Sequence, residues 1–127
     1  MLALDYGTAR CGCAISDPTG TLARPLAAVE PPDPVAIAEL VSAEGADRVI
    51  VGLPTTLSGE EGEQAALSRA FAAALAELLD VPVETYDERL TTRMADRSAR
   101  EGARADRDSL AAAHLLESYL MSREGER

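Results

Sequence analysis

Four acidic residues occupy positions from which a folded chain could bring them together: Asp5, Asp87, Glu88 and Asp108. Carboxylates that converge repel each other by roughly 4 kcal/mol at about 4 Å, for an effective dielectric constant of about 20. Such a cluster persists only when it is protonated or bound to metal, and oxygen ligands without His or Cys favour Mg²⁺ or Mn²⁺. Two such ions about 3.5–4 Å apart can hydrolyse a phosphodiester bond by in-line attack of water.

Asp5 and the Asp87-Glu88 pair each follow an apolar segment with the composition of a buried strand, residues 2–4 and 81–86. A carboxylate that ends a central strand is costly to bury unless a cation meets it. A simpler interpretation of Asp5 is that it hydrogen-bonds only the backbone of the Gly7-Thr8 turn. Because successive strand residues point to opposite faces, only one of Asp87 and Glu88 can share a face with Asp5.

Asp108 precedes an apolar helix, and an Asp in that position is often the N-cap. Asp106 and Ser109 are also available for capping, which leaves the role of Asp108 open. Helical spacing places Asp108 at the head of the stripe that must face the sheet. That stripe consists of residues 108, 111, 112, 115, 116 and 119.

Five segments are predicted to be strands of one sheet, namely residues 2–5, 10–16, 21–29, 48–53 and 81–86. The links between the first three are too short for a crossover helix, so these strands must be antiparallel neighbours. Helical segments separate the later strands, and right-handed crossovers then add them in parallel. The predicted fold is α/β, a mixed five-stranded sheet flanked by helices, and its sites should form beyond the carboxyl ends of the strands.

Local signals predict the first two helices. Asp33 can cap a helix that starts at Pro34 and ends near Gly45. Ser58-Gly-Glu-Glu61 fits a capping box for the second helix. The apolar stripe predicted for that second helix is Leu67, Phe71, Ala74, Leu75 and Leu78.

The last two helices complete a single predicted domain, residues 1–127. Thr91 or Thr92 is expected to cap the third helix. The fourth should run from around Arg107 to about Leu120, with residues 122–127 frayed.

Composition excludes several classes of protein. No apolar run approaches the ~18 residues that a membrane span requires, and the chain does not open with the pattern of a signal peptide. We therefore expect a cytoplasmic protein without membrane partners. Cys11 and Cys13 share one face of a strand in poor geometry for a mutual disulfide, and zinc ligands are too few. Both cysteines are expected to be small buried apolar residues.

The formal net charge of −10 argues against a broad nucleic-acid-binding surface. All twelve basic residues are arginines, however, and half of them fall within residues 87–108. Five of these have spacings of four, four, three and four residues: Arg89, Arg93, Arg97, Arg100 and Arg104. They either bind phosphates, together with Arg10, or form a solvated helix face that pairs with Asp96 and Glu101.

Five short motifs cover the chain from Leu2 to about Leu120. They are Leu4-Asp5-Tyr6-Gly7-Thr8 with Ser16-Asp17-Pro18, Val51-Gly52-Leu53-Pro54, Gly59-Glu60-Glu61-Gly62 with Gln64-Ala65, Asp87-Glu88-Arg89-Leu90-Thr91-Thr92 and Asp108-Ser109-Leu110-Ala111-Ala112. In these motifs and their order the sequence resembles the YqgF family. These are the RuvX-type, Holliday junction resolvase-like proteins that are also described as pre-16S ribosomal RNA nucleases.

The resemblance implies a ribonuclease H-like fold and a metal-dependent endonuclease that matures the 5′ end of pre-16S ribosomal RNA. It places the catalytic acids and the ligands of Mg²⁺ or Mn²⁺, expected as two ions, at Asp5, Glu88 and Asp108. Asp87 would be the neighbour that faces the other way. The substrate-binding residues are expected to be Gly7, Thr8, Arg10, Arg89, Arg93 and Arg97.

The sequence departs from the family pattern in two places. Cys11 and Cys13 replace bulky aliphatic residues, which should affect only packing. Thr56 and Leu57 replace an Asn-Met-like pair, which leaves the role of the loop 55–62 open.

Other functions are compatible with parts of the pattern. Sugar kinases and actin-like ATPases also use an Asp-x-Gly-Thr turn, but 127 residues leave no second lobe for a nucleotide. A non-catalytic nucleic-acid-binding or ribosome-assembly module is a third possibility. Within the nuclease class, the substrate is either pre-16S ribosomal RNA or a four-way DNA junction, and the protein is either a monomer or a homodimer.

Overall fold

The computed structural model describes residues 1–20, 22–54, 62–87 and 107–125, with side chains 109–122 in the last range. Within these ranges five strands form one sheet: β1 (Leu2–Tyr6), β2 (Cys11–Ser16), β3 (Ala23–Val29), β4 (Val49–Leu53) and β5 (Val83–Asp87). Their spatial order is β3-β2-β1-β4-β5, with β1 at the centre. The first three strands pair antiparallel, whereas β4 and β5 extend the sheet in parallel from β1. This arrangement confirms the predicted mixed sheet.

Three helices are described: α1 (Pro34–Glu44), α2 (Glu63–Leu78) and α3 (Arg107–Gly125). The signals predicted for α1 are confirmed. The Asp33 side chain accepts a hydrogen bond of 3.0 Å from the backbone N–H of Val35, and Pro34 opens the first turn. Gly45 ends the helix at a φ of 64°, where a side chain would be strained.

The sheet separates two cores. Leu2, Leu4, Val49 and Val51 pack on one face with residues of α1 and α2. Ala3, Ala14 and Ile50 pack on the other face beneath α3. Every β1 residue from Leu2 to Leu4 is fully buried, so both faces of the central strand are sealed.

The two cysteines are buried as predicted. Cys11 and Cys13 are fully inaccessible on the face of α1 and α2, and neither forms a disulfide. Hydrogen bonding to the Cys11 side chain lowers the pKa of the Cys13 thiol, against the opposing effect of burial. Because both side chains are inaccessible to solvent, they act as small residues of the core.

The stripe predicted for α2 is wrong in part. Phe71 and Leu75 are buried, but Leu67 and Leu78 are 38% and 52% exposed. The buried face instead uses small residues at the remaining positions, which allow the helix to approach the sheet closely: Ala65, Ser68 and Ala72. The predicted capping box is also wrong, because α2 begins at Glu63 with Gly62 as its N-cap and no side-chain cap bond.

Some predicted boundaries shift by a few residues. β3 begins at Ala23 rather than residue 21, and β5 begins at Val83 rather than residue 81. α3 continues to Gly125, so residues 122–125 are helical and not frayed. The third predicted helix, from Thr91 or Thr92, lies outside the described residues. No helix in the described ranges is long and apolar enough to cross a membrane.

Among the residues that the structure describes, the buried Ser68 hydroxyl has no hydrogen-bond partner. We expect Ser68→Ala to raise the free energy of unfolding by about 1 kcal/mol, since Ala removes an unsatisfied polar group and favours the helix. Urea denaturation measures this change. Ser42→Ala, at an exposed position in α1, is the control for helix propensity and should shift stability by less than about 0.5 kcal/mol. A loss of stability in Ser68→Ala would show that the hydroxyl has a partner.

Candidate active site

Asp5 lies at the carboxyl end of the central strand, on the face covered by α3. The neighbouring residues fix this orientation: Ala3 belongs to the core beneath α3, whereas Leu4 belongs to the opposite core. Because side chains alternate along a strand, Asp5 points to the same side as Ala3. Its side chain is half-buried, in contrast to the sealed residues before it.

Glycines stand next to Asp5 on both neighbouring strands. Gly12 of β2 pairs directly with Asp5. On the other side Leu4 pairs with Val51, and the same register extended by one residue brings Gly52 beside Asp5. Neither glycine has a side chain to occupy the space flanking the carboxylate on the α3 face. An oxygen donor flanked by residues without side chains is compatible with a divalent cation, which needs several ligands around it.

A tight turn follows Asp5 and carries three of the predicted substrate-binding residues. The strands close at the Tyr6–Cys11 pair, and the backbone N–H of Gly7 donates a 2.9 Å hydrogen bond to the Arg10 carbonyl. Thr8 and Arg10 are exposed beyond this closure. The turn therefore places these residues next to the Asp5 end of β1, as the sequence predicts, and their contact with substrate stays a prediction.

Helix α2 begins beside the same strand end. The Tyr6 ring stacks on Phe71 of α2 at a centroid distance of 4.5 Å, and the Gln64 side-chain amide donates a 3.0 Å hydrogen bond to the Tyr6 carbonyl. Sequence reasoning gave Gln64 no such role, since an amide at an exposed helix start carries no distinctive signal. These two contacts tie the first turns of α2 to the residue that follows Asp5.

Asp87 lies on the opposite face of the sheet from Asp5. It ends β5 and pairs with Leu53. Val83 packs against the core of α1 and α2, whereas Tyr86 packs beneath α3, so alternation turns Asp87 away from α3. Asp87 is therefore excluded as the residue that joins Asp5 on the α3 face. Glu88 lies outside the described residues.

Asp108 lies inside α3, which begins at Arg107, so the N-cap interpretation of Asp108 is wrong. Its backbone is on the sheet-facing side, because Ala112, Leu115 and Tyr119, four, seven and eleven positions later, are all buried. This part of the predicted stripe is confirmed.

The first turn of α3 contacts the sheet directly through Ser109. Its hydroxyl is fully buried and accepts a 3.3 Å hydrogen bond from the backbone N–H of Cys13. Cys13 is adjacent to Gly12, the residue that pairs with Asp5. The start of α3 thus lies over the Asp5 end of the sheet. The sequence offered Ser109 only as a possible cap, because a contact across 96 residues leaves no local signal.

A polar network attaches the other end of α3 to the sheet. The Tyr119 hydroxyl donates a 2.8 Å hydrogen bond to Glu84 and accepts one of 3.0 Å from Arg48. Arg48 also forms an ion pair with Glu84, and these contacts, led by the one with Tyr119, raise the pKa of the guanidinium. Tyr86 meets the Tyr119 ring edge-on at 5.6 Å and shares a 3.0 Å hydrogen bond with Ser118.

The remaining predicted site residues, Glu88, Arg89, Arg93 and Arg97, lie outside the described residues. Among the side chains that the structure describes, no three His, Cys, Asp or Glu residues lie close enough together to hold a metal ion. The structure therefore places the Gly7–Arg10 turn after Asp5 and attaches the start of α3 to β2 next to Gly12, the partner of Asp5, while the complete ligand set stays a prediction.

A cavity of about 430 Å³ opens at the opposite end of the sheet from Asp5. It lies between the 17–20 turn and the end of α1, and its lining includes Asp17, Glu44 and Asp47. Three carboxylates on its wall would repel a phosphate backbone. This cavity is therefore a poor candidate for binding nucleic acid.

The family model described as RuvX, Holliday junction resolvase, matches residues 1–122. The chain belongs to the RuvX family. A relative from Chloroflexus aggregans is 42% identical over 97% of this chain and 94% of its own length. A second, from Rubrobacter xylanophilus, is 45% identical over 94% of this chain and 91% of its own. Both carry the name "Putative pre-16S rRNA nuclease".

Solved structures share the fold of this RuvX protein. RuvC of T. thermophilus in complex with a Holliday junction substrate superposes with a TM-score of 0.62 at 17% identity, covering 98% of this chain and 96% of that one. The Fowlpox virus resolvase bound to Holliday junction DNA gives 0.57 at 14%, covering 97% and 99%. These similarities confirm the predicted ribonuclease H-like fold.

Family membership confirms the predicted class of enzyme, a nuclease that hydrolyses phosphodiester bonds. Nucleases with the RuvC-like fold generally use divalent metal ions. In this RuvX protein, the described residues that fit this chemistry lie at the carboxyl end of β1. There the Asp5 carboxylate, an oxygen donor, stands between Gly12 and Gly52.

The turn after Asp5 should not tolerate a side chain at Gly7. A Cβ there would lie 2.9 Å from the backbone carbonyl oxygen of Arg10, which cannot move without opening the turn. We expect Gly7→Ala to cost about 1–3 kcal/mol of stability through overpacking, measured by chemical denaturation. Gly62→Ala is the matched control, because no atom of the described residues beyond its chain neighbours lies within 4 Å of the added Cβ, and it should cost well under half as much. Equal losses in the two variants would contradict the prediction.

Proposed function

We propose that this RuvX-family protein is a divalent-metal-dependent endonuclease that cuts the precursor of 16S ribosomal RNA near its 5′ end. The observation that carries the proposal is the hydrogen bond between Ser109 and Cys13, which attaches the first turn of α3 to β2. It supports the proposal because Ser109 follows Asp108 in the chain and Cys13 is next to Gly12, the residue that pairs with Asp5.

Asp5, Glu88 and Asp108 would hold the metal, as Mg²⁺ or Mn²⁺ in a pair. Three carboxylates in one place need compensating positive charge, and hard oxygen ligands select these ions. The exclusion of Asp87 from the α3 face supports the assignment to Glu88, since only one of the two adjacent acids can share the face of Asp5. When bound, divalent cations would activate a water molecule and neutralise charge on the scissile phosphate.

The protein's own residues would orient the substrate. The exposed Gly7–Arg10 turn lies next to Asp5, so the Arg10 guanidinium and the backbone of Gly7 and Thr8 would contact the phosphate beside the cut. Arg89, Arg93 and Arg97 would bind phosphates further along the strand. Asp5, fixed by the buried strand that precedes it, would keep its carboxylate in place as a ligand.

RNA is the proposed substrate because relatives more than 40% identical over nearly the whole chain are named for pre-16S rRNA. Because the net charge is −10, we expect the basic surface that contacts the substrate to be small. A small surface suits a flexible RNA strand better than a large DNA junction. Processing of this RNA would place the protein in the cytoplasm. A four-way DNA junction is the second candidate, favoured by the family description and by the fold shared with junction-bound resolvases.

The proposed role of Asp5 is tested with Asp5→Asn. A change in an outer partner of a metal ligand already costs about 10–100-fold in metal affinity or activity. We therefore expect Asp5→Asn to lower Mg²⁺-dependent cleavage of precursor RNA by at least about 100-fold. It should also abolish any rise in melting temperature on adding Mn²⁺.

Asp87→Asn is the matched control for Asp5→Asn. It makes the same chemical change on the other face of the sheet, and should keep activity within about 3-fold of the native protein. Cleavage that is unchanged in Asp5→Asn, or lost equally in both variants, would rule out the proposed site.

The substrate is tested by incubating the protein with precursor 16S RNA and with a four-way DNA junction, in parallel, with Mg²⁺ or with EDTA. We expect Mg²⁺-dependent cuts in the RNA near the mature 5′ end, and at least ~10-fold slower cleavage of the junction. Faster cleavage of the junction would select the second candidate. Absence of cleavage of either substrate, without any metal-induced change in melting temperature, would indicate a non-catalytic module.

A further inference from the structure

The backbone N–H of Cys13 is bonded to a side chain of α3 at an irregular point of the sheet. The pairing of β2 with β3 shifts register between Cys11 and Cys13: Cys11 faces Val29, whereas Cys13 faces Leu26. At this shift the Ser109 hydroxyl accepts a hydrogen bond of 3.3 Å from the Cys13 N–H, so a side chain of α3 contacts the backbone of β2 directly.

The hydroxyl of Ser109 is fully buried, so no water competes for this bond. Removal of the hydroxyl would break this buried bond between α3 and the backbone of β2, and the first turn of α3 could then shift over the sheet. The contact therefore couples the start of α3 to the strand beside Asp5. Ser68, the other fully buried serine of the described residues, has no hydrogen-bond partner among them and shows no comparable link between elements.

The pairing of β1 with β2 identifies the residues that lie next to the contact between Ser109 and Cys13. Cys13 pairs with Leu4, and the preceding residue Gly12 pairs with Asp5. Ser109 directly follows Asp108 in the helix, so their Cα atoms are about 3.8 Å apart. A shift of the first turn of α3 would consequently move the backbone of Asp108 relative to Asp5.

We propose that Ser109 is a positioning residue for the metal site. By accepting the Cys13 N–H it fixes the first turn of α3, and with it the backbone of Asp108, above the Asp5 end of β1. This inference rests on the proposed metal-dependent function and adds to it a residue that does not touch metal or substrate. Ser109 would act like the residues of other metal sites that do not bind the metal themselves but hold its ligands in place.

The test is a titration with Mn²⁺ at constant temperature in the absence of nucleic acid, followed by the loss of the electron paramagnetic resonance signal of the free ion, on the native protein and on Ser109→Ala. The expected result is a rise of about 10-fold or more in the Mn²⁺ concentration that half-saturates the site, which is the midpoint of the titration. Ser109→Thr keeps the accepting oxygen and should restore the native midpoint. If Ser109→Ala does not fold, Ser109→Cys replaces it, because a thiol has a similar shape and is a weak acceptor.

Two control variants separate positioning from general loss of stability. Ser68→Ala removes a buried serine hydroxyl without a partner and should keep the native Mn²⁺ midpoint. Tyr119→Phe removes the hydrogen bonds to Arg48 and Glu84, ten residues and about 15 Å further along α3. It should lower the melting temperature without changing the midpoint.

The possible failures are distinguishable. A native protein that binds no Mn²⁺ in this titration would overturn the proposed function together with this inference. A native midpoint in Ser109→Ala, or an equal change in Ser109→Ala and Tyr119→Phe, would overturn the positioning role alone and leave the proposed function standing. A midpoint that rises for Ser109→Ala and returns in Ser109→Thr would support it.

Discussion

The position of Asp5 depends on the alternation of side chains along β1. Leu2 and Leu4 are committed to the core of α1 and α2, and Ala3 is committed to the core beneath α3. A slip of one residue would exchange these sets and drive the Asp5 carboxylate into the opposite core, at a large desolvation cost. The packing that stabilises the central strand therefore also decides which face of the sheet carries the carboxylate. Function and stability here share one constraint.

The same face receives the N-terminus of α3, which offers partial compensation for negative charge. A helix N-terminus carries roughly half a positive elementary charge, and its effect fades within about one turn. That is less than three carboxylates would require, so the proposed cluster of Asp5, Glu88 and Asp108 needs further cations. Glycines at positions 12 and 52 leave the flanks of Asp5 without side chains, which is consistent with ligands arriving from solvent.

The sheet and α1 could be predicted from the sequence because their signals are local. Short links force the first three strands into antiparallel pairs, and Asp33, Pro34 and Gly45 mark the ends of α1. The buried face of α2 could not be read in this way. The small residues of that face differ little in hydrophobicity from their sequence neighbours. Leu67 and Leu78 dominate the apolar pattern but are 38% and 52% exposed.

The candidate site was predictable only in part. Asp5 and its turn follow from the strand pattern, but the orientation of Asp87 required the true bounds of β5. The contact of Ser109 with Cys13 lies at a register shift between β2 and β3, and no spacing in the sequence indicates that shift. Glu88 and the arginines at 89, 93 and 97 lie outside the described residues, and their roles stay predictions.

The most direct measurement is the anomalous scattering of Mn²⁺ in crystals of the native protein grown with that ion. We predict a peak within ~2.5 Å of an Asp5 carboxylate oxygen, on the face of the sheet covered by α3. Crystals with saturating Mn²⁺ and no peak at Asp5, or a peak on the face of Asp87, would contradict it.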